Sequence, residues 1–188
     1  MSQTDSSTKL RMMIVTALFA AIIAVLAQVA IPMPLGVPIT GQTLAIGLAA
    51  TILGSRYGTI SAILYIIIGA IGVPVFAQFT GGFGILFGPT GGFLIGFIPT
   101  TLFMGYYLEK TSFTLKNALI ANIIGMFITL TFGTIWLKII AGLSWPVAFA
   151  GGFTPFLIGG IIKAFIAAYV GIIVRERLKS ARLLYAAN

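Results

Sequence analysis

The chain has 188 residues, of which 59% are hydrophobic and 7% charged, with 11 Lys and Arg against 3 acids and a net charge of +8. Soluble domains carry about 25% charged residues, so a mean hydropathy of +1.13 reads as a single all-α membrane domain covering residues 1–188. The chain has neither Cys nor His, which excludes disulfides, thiol chemistry, haem ligation and the common zinc sites, and no cofactor is expected.

A membrane helix needs roughly 20 mainly apolar residues, and breaks made by Gly, Pro and charge divide the chain into six approximate spans. The first covers residues 12–31 and ends at Pro32 and Pro34. Along it Ala17 and Ala21, and also Ala20 and Ala24, recur at i and i+4 as a flat stripe. Small residues in that register let another helix approach closely, either a partner subunit or a further span of the same chain. Lys9 and Arg11 ahead of this run also resemble a signal peptide, but the run exceeds the usual apolar stretch of about 7–15 residues, so it is read as a retained span. The connection that follows holds Pro32, Pro34 and Pro38. With φ restricted at each proline it is stiff enough to act as a lid.

The second and third spans cover residues 40–53 and 59–73, with Gly54, Arg56 and Gly58 marking a tight turn between them. Residues 74–89 then form a long uncharged loop that holds Gln78, Thr80 and several glycines among Phe76, Phe79, Phe83 and Phe87. Irregular backbone at a membrane is tolerated where it is buried in protein or lines a cavity, and aromatic walls beside backbone dipoles suit a small amphipathic ligand. The competing reading is an interfacial belt, although belts favour Trp and Tyr and this stretch has neither.

The fourth span, residues 91–108, opens on Gly88-Pro89-Thr90-Gly91-Gly92. Its glycines leave N–H groups at a helix start, where a polar ligand group can be held near Thr90 and Gly91. No G-x-x-x-x-G-K-[ST] pattern occurs, so the chain alone is not expected to hydrolyse ATP. The fifth span covers residues 117–140, and Trp136 and Trp145 at its far end read as interfacial anchors, with stacking on a ligand as the alternative for Trp136. Of the remaining polar residues, Gln42 and Gln78 flank the loops and are the stronger ligand candidates, whereas Gln28 and Asn117 sit near span ends where water is available.

The sixth span covers residues 155–174 and contains Lys163, whose Cα lies roughly 12 Å below Pro155 at 1.5 Å per residue. A charge at such depth costs about 2.5–3.5 kcal/mol on insertion scales and marks a functional site by default. The acids are Asp5, Glu109 and Glu176, none of them inside a span. An anion brought by a ligand is therefore the natural partner for Lys163. Snorkelling along its four-carbon stem is the alternative. Lacking intramembrane Asp, Glu or His, the chain also lacks the usual proton relay, so it is a passive pore or binder unless a partner supplies the work. General acid–base catalysis is equally short of groups, and no enzyme activity is expected.

The even number of spans puts both termini on one side of the membrane. Lys9, Arg11, Arg56, Lys110, Lys116, Arg175, Arg177, Lys179 and Arg182 fall on that side, against Lys138 alone on the other. The positive-inside rule makes that side cytoplasmic. The positive charge is thus topology information, and no nucleic acid is expected as a partner.

Three segments, Pro38-Ile39-Thr40-Gly41-Gln42-Thr43, Gly72-Val73-Pro74-Val75-Phe76-Ala77 and Gly88-Pro89-Thr90-Gly91-Gly92-Phe93-Leu94-Ile95-Gly96-Phe97, resemble the BioY family, and the similarity extends over nearly the whole chain. That family comprises the biotin-binding S components of energy-coupling factor (ECF) transporters. The resemblance implies a six-helix S-component fold in a bacterial cell membrane, with biotin held near the outer face beneath the first outer loop. It also implies association with a transmembrane coupling subunit and two cytoplasmic ATPases. In that frame Phe79, Phe83 and Phe93 cover the apolar body of biotin, Gln42, Gln78, Thr90 and Gly91 address its polar atoms, and Lys163 receives its carboxylate. Ala17 and Ala21 look like the coupling-subunit contact. The family commonly carries an acid three positions before the lysine, where this chain has Gly160. A passive channel or facilitator for small solutes is the competing class.

Overall fold

A computed structural model describes residues 3–181, 183 and 184, with side chains from Lys9 onward. Arg182 and the side chain of Asp5 lie outside the described residues. Long apolar runs must satisfy their backbone groups internally in lipid, which favours helices. The helices are α1 (Gln3–Ala27), α2 (Gln42–Ala70), α3 (Gly91–Lys110), α4 (Leu115–Ile140), α5 (Trp145–Gly152) and α6 (Phe156–Ser180). All but α5 contain a stretch long and apolar enough to cross a membrane, which makes five candidate spans among the described residues.

The expected second and third spans are the two arms of α2. Gly54 interrupts that helix at φ 80° and ψ −170°, a region essentially reserved for glycine. In a straight helix Gln42 and Tyr65 would stand about 35 Å apart, yet the Gln42 Nε2 donates to the Tyr65 hydroxyl at 2.6 Å. Arms 42–53 and 55–70 therefore run antiparallel, and a Cβ at Gly58 would lie 3.1 Å from the Ala49 carbonyl oxygen.

Charges from two other helices grip this turn. Glu109, near the end of α3, accepts the Ser55 N–H at 2.7 Å and the Ser55 hydroxyl at 2.6 Å. Arg175 on α6 donates to the Ile52 carbonyl and lies 3.4 Å from the centre of the Phe113 ring. A carboxylate at the start of the second arm and a guanidinium at the end of the first match the two helix dipoles. Arg175, one of the basic residues that the sequence assigns to the cytoplasmic side, is buried.

Two further departures concern the connections. The first helix ends at Ala27, because Ala30–Ile31 (β1) pairs antiparallel with Ile39–Thr40 (β2) and folds the proline-rich loop into a small hairpin. The stretch between the last two long helices, expected as loop, contains the two-turn α5. Packing is dense where side chains are small: Ala45, Ala49, Ala50, Ala62, Ala118, Ala121, Ala167 and Ala168 are all buried, which lets α2 contact α1, α3 and α6, and α4 contact α3 and α6. Large apolar side chains such as Val25, Ile67, Ile158 and Ile162 face outward, as lipid contact requires.

Candidate ligand-binding site

Beneath the β1–β2 hairpin and the 74–89 loop lies a cavity of about 260 Å³, walled by α2, α3, α4 and α6. It collects Gln42, Gln78, Thr90, Phe93 and Lys163 from four separate parts of the sequence. The wall is mostly apolar, with Ile46, Phe76, Leu94 and Phe97 along its length, so the few polar groups fix orientation.

The Lys163 ammonium reaches up to the lid and donates to the Thr40 carbonyl at 2.9 Å. That leaves two of its three N–H donors for a guest, and among the described residues no carboxylate pairs with it. Gly160, one turn earlier on α6, lines the same cavity, and a Cβ there would press on the Met126 sulfur. Next to the lysine, Thr40 ties β2 to α2, its hydroxyl donating to Gln42 Oε1 at 2.8 Å. Gln42 is thus held from both ends, by Thr40 and by Tyr65. Tyr65 gives no signal in the sequence, since its partner lies 23 positions away.

Three of the expected ligand residues lie elsewhere. Phe79 is 72% exposed and Phe83 63% exposed, and neither borders the cavity. Gln78 and Phe79 both adopt left-handed backbone, at φ 59° and 55°. That turn leaves Gln78 at the cavity and sends Phe79 outward. Phe83 instead meets Phe87 edge to face at 5.3 Å. Gly91 packs against the backbone of Leu86, and its N–H already donates to the Gly88 carbonyl at 3.1 Å. Trp136 is also absent from the wall and donates to the Gly88 carbonyl at 3.0 Å, so it braces the start of α3.

Gln28, expected to face water at a span end, instead organises the 74–79 segment. Its Nε2 donates to the Val75 and Phe76 carbonyls at 3.2 and 3.1 Å, and its Oε1 accepts the Phe79 N–H at 2.8 Å. One amide side chain thereby holds the strained turn that carries Gln78.

A model of the BioY family matches residues 1–180. The chain belongs to the BioY family. It is 43% identical over 166 residues to biotin transporter BioY2 of Lactococcus lactis subsp. cremoris, covering 88% of this chain and 91% of that protein. It is 35% identical over 167 residues to biotin transporter BioY of Thermotoga maritima, covering 89% and 97%. The fold matches a crystal structure of the S-component for biotin from an ECF-type ABC transporter with a TM-score of 0.84 and 28% identity, over 94% of this chain and 95% of that one.

Within this BioY fold the alanine stripe of α1 divides. Ala20 is buried and Ala24 half-buried against the core around Ile23 and Phe97, whereas Ala17 and Ala21 are exposed beside Leu10, Met13, Ile14, Leu18 and Val25. The outward pair leaves a flat apolar face on the bundle.

Proposed function

We propose that this chain is the biotin-binding S component of an ECF-type transporter, working with an ATP-driven coupling module. The observation that carries the reading is the cavity of about 260 Å³ with a lysine ammonium at its lid and no carboxylate paired to it among the described residues. Biotin brings the missing anion on an apolar arm. Lys163 receives the carboxylate, Gln42, Gln78 and Thr90 address polar atoms, and Phe93 covers the apolar body. The names of the relatives and of the matching structure support the same vitamin.

The chain forms one membrane domain with six crossing segments, the two arms of α2 counted separately, and cytoplasmic termini, as the basic flanks require. Arms of 12 and 16 residues are about 18 and 24 Å long, and the lid hairpin and the 74–89 loop complete the thickness at the outer face. Ala17 and Ala21 meet the transmembrane coupling subunit, through which two cytoplasmic ATPases supply the drive.

Reconstitution tests this function against a passive facilitator. In proteoliposomes containing this chain alone, labelled biotin binds to saturation without net flux. With the coupling module and internal ATP it accumulates. Downhill biotin flux through the chain alone would establish the facilitator.

A further inference from the structure

The inner end of the cavity, deeper along α3 and α4 than Thr90 and Phe93, is formed by Thr100, Asn122 and Thr129. Asn122 is 4% exposed. Its Nδ2 donates to the Thr51 hydroxyl at 3.0 Å and to the Ala118 carbonyl at 2.8 Å. A helix carbonyl accepts only a donor, so the amide is fixed with its nitrogen toward Ala118 and its oxygen on the other side. Oδ1 lies against Gly47, which also lines the cavity, and a side chain at that glycine would occupy the space in front of it. Among the described residues this oxygen has no hydrogen-bond partner.

Beside it, the Thr100 hydroxyl lies 3.4 Å from the Gly125 carbonyl and 2.8 Å from the Thr129 hydroxyl, a pair in which either oxygen can donate. The Asn122 oxygen thus gives the inner end an open acceptor next to two adaptable hydroxyls. The outer end is the reverse, since Lys163 presents N–H donors beside Thr40. Thr40 stands two residues ahead of α2, and the helix rises about 7.5 Å from Gln42 to Gly47, which sets the two ends on the order of 10 Å apart. The cavity is therefore a two-ended site that takes an anion at the lid and a hydrogen-bond donor at the floor.

Resting on the biotin reading, we propose that Asn122 Oδ1 accepts an N–H of the ligand's cyclic urea and is the specificity-determining residue for that end of the molecule. The acid arm and fused bicycle of biotin together run on the order of 10 Å at ordinary bond lengths, which matches the separation of the two ends. A urea N–H satisfies a buried acceptor that an apolar or ether group would leave unpaired, and that difference is the strongest discrimination a pocket can make.

The test titrates the full-length parent, Asn122→Ala and Gly47→Ala in detergent with biotin and with biotin methylated on both ring nitrogens. For the parent, methylation weakens binding by about 100-fold or more, because the donor is lost and the methyl meets Oδ1. In Asn122→Ala biotin binds about 10- to 100-fold more weakly, while the methylated analogue improves into the vacated space, so the ratio narrows. Gly47→Ala puts a Cβ against the same oxygen and against Ala167, pushing the amide aside and lowering biotin affinity in the same direction; where neither variant folds, the parent's own ratio for the two ligands decides, and equal binding of both overturns the assignment. Biotin binding and an analogue ratio unchanged in the folded variants overturn the Asn122 assignment alone. A parent that does not bind biotin overturns the functional reading, and the assignment with it.

Discussion

Replacing Lys163 with Met keeps the length of the side chain and removes its charge, and its effect can be worked out from the contacts. In the empty protein the ammonium has the Thr40 carbonyl at 2.9 Å; in the complex its remaining N–H groups meet the biotin carboxylate. A hydrogen bond to a charged group contributes about 1.5–3 kcal/mol, so K163M is expected to weaken biotin binding about 10- to 150-fold. Biotin amide brings no anion, and its affinity changes by less than about three-fold. The empty variant loses one charged hydrogen bond of about 1.5–3 kcal/mol but also a buried charge worth about 2.5–3.5 kcal/mol on insertion scales, so its melting temperature does not fall. Calorimetric titration of parent and variant with both ligands, with melting curves of the empty proteins, measures all of these. Equal losses for biotin and its amide, or no loss for either, would refute the electrostatic reasoning.

Other parts of the molecule give equally direct tests. Gln28→Leu removes three contacts to the 74–79 segment; amide exchange there should accelerate and biotin affinity fall about 10-fold, as the loss of one to two net hydrogen bonds implies. Gly54→Ala forces a Cβ into the Glu109 carboxylate at a dihedral that only glycine tolerates, and thermal unfolding should show a loss of about 1–3 kcal/mol. Ala17→Leu combined with Ala21→Leu should leave biotin affinity within about two-fold of the parent while preventing copurification with the coupling subunit, because the outward face of α1 is no longer flat.

The sequence makes the lone lysine conspicuous because a charge inside an apolar run has few innocent explanations. The turn at Gly54 is legible for a related reason: Gly54, Arg56 and Gly58 interrupt a run otherwise fit for a membrane. Contacts made between elements are harder to see. Gln28 sits near a helix end, where water is the default partner, and its bonds to residues 75–79 exist only once the loop folds over it. Tyr65 and Asn122 resemble span filling until the hairpin brings one to Gln42 and the α4–α2 contact brings the other to Thr51. Phe79 and Phe83 stand away from the cavity because spacing in an irregular loop does not fix direction, and two left-handed residues turn the chain between Gln78 and Phe79. Short helix α5 is not legible in the sequence, because its eight residues are too few to register against the 20-residue scale of a span.

By itself this chain is a binder, and its lone lysine makes the cavity anion-seeking. Equilibrium titration of the purified protein with labelled biotin, without ATP or any partner, tests it most directly. One saturable site per chain is expected, with biotin amide bound more weakly by the margin worked out for Lys163. Absence of saturable binding in folded protein, or equal affinity for acid and amide, would contradict it.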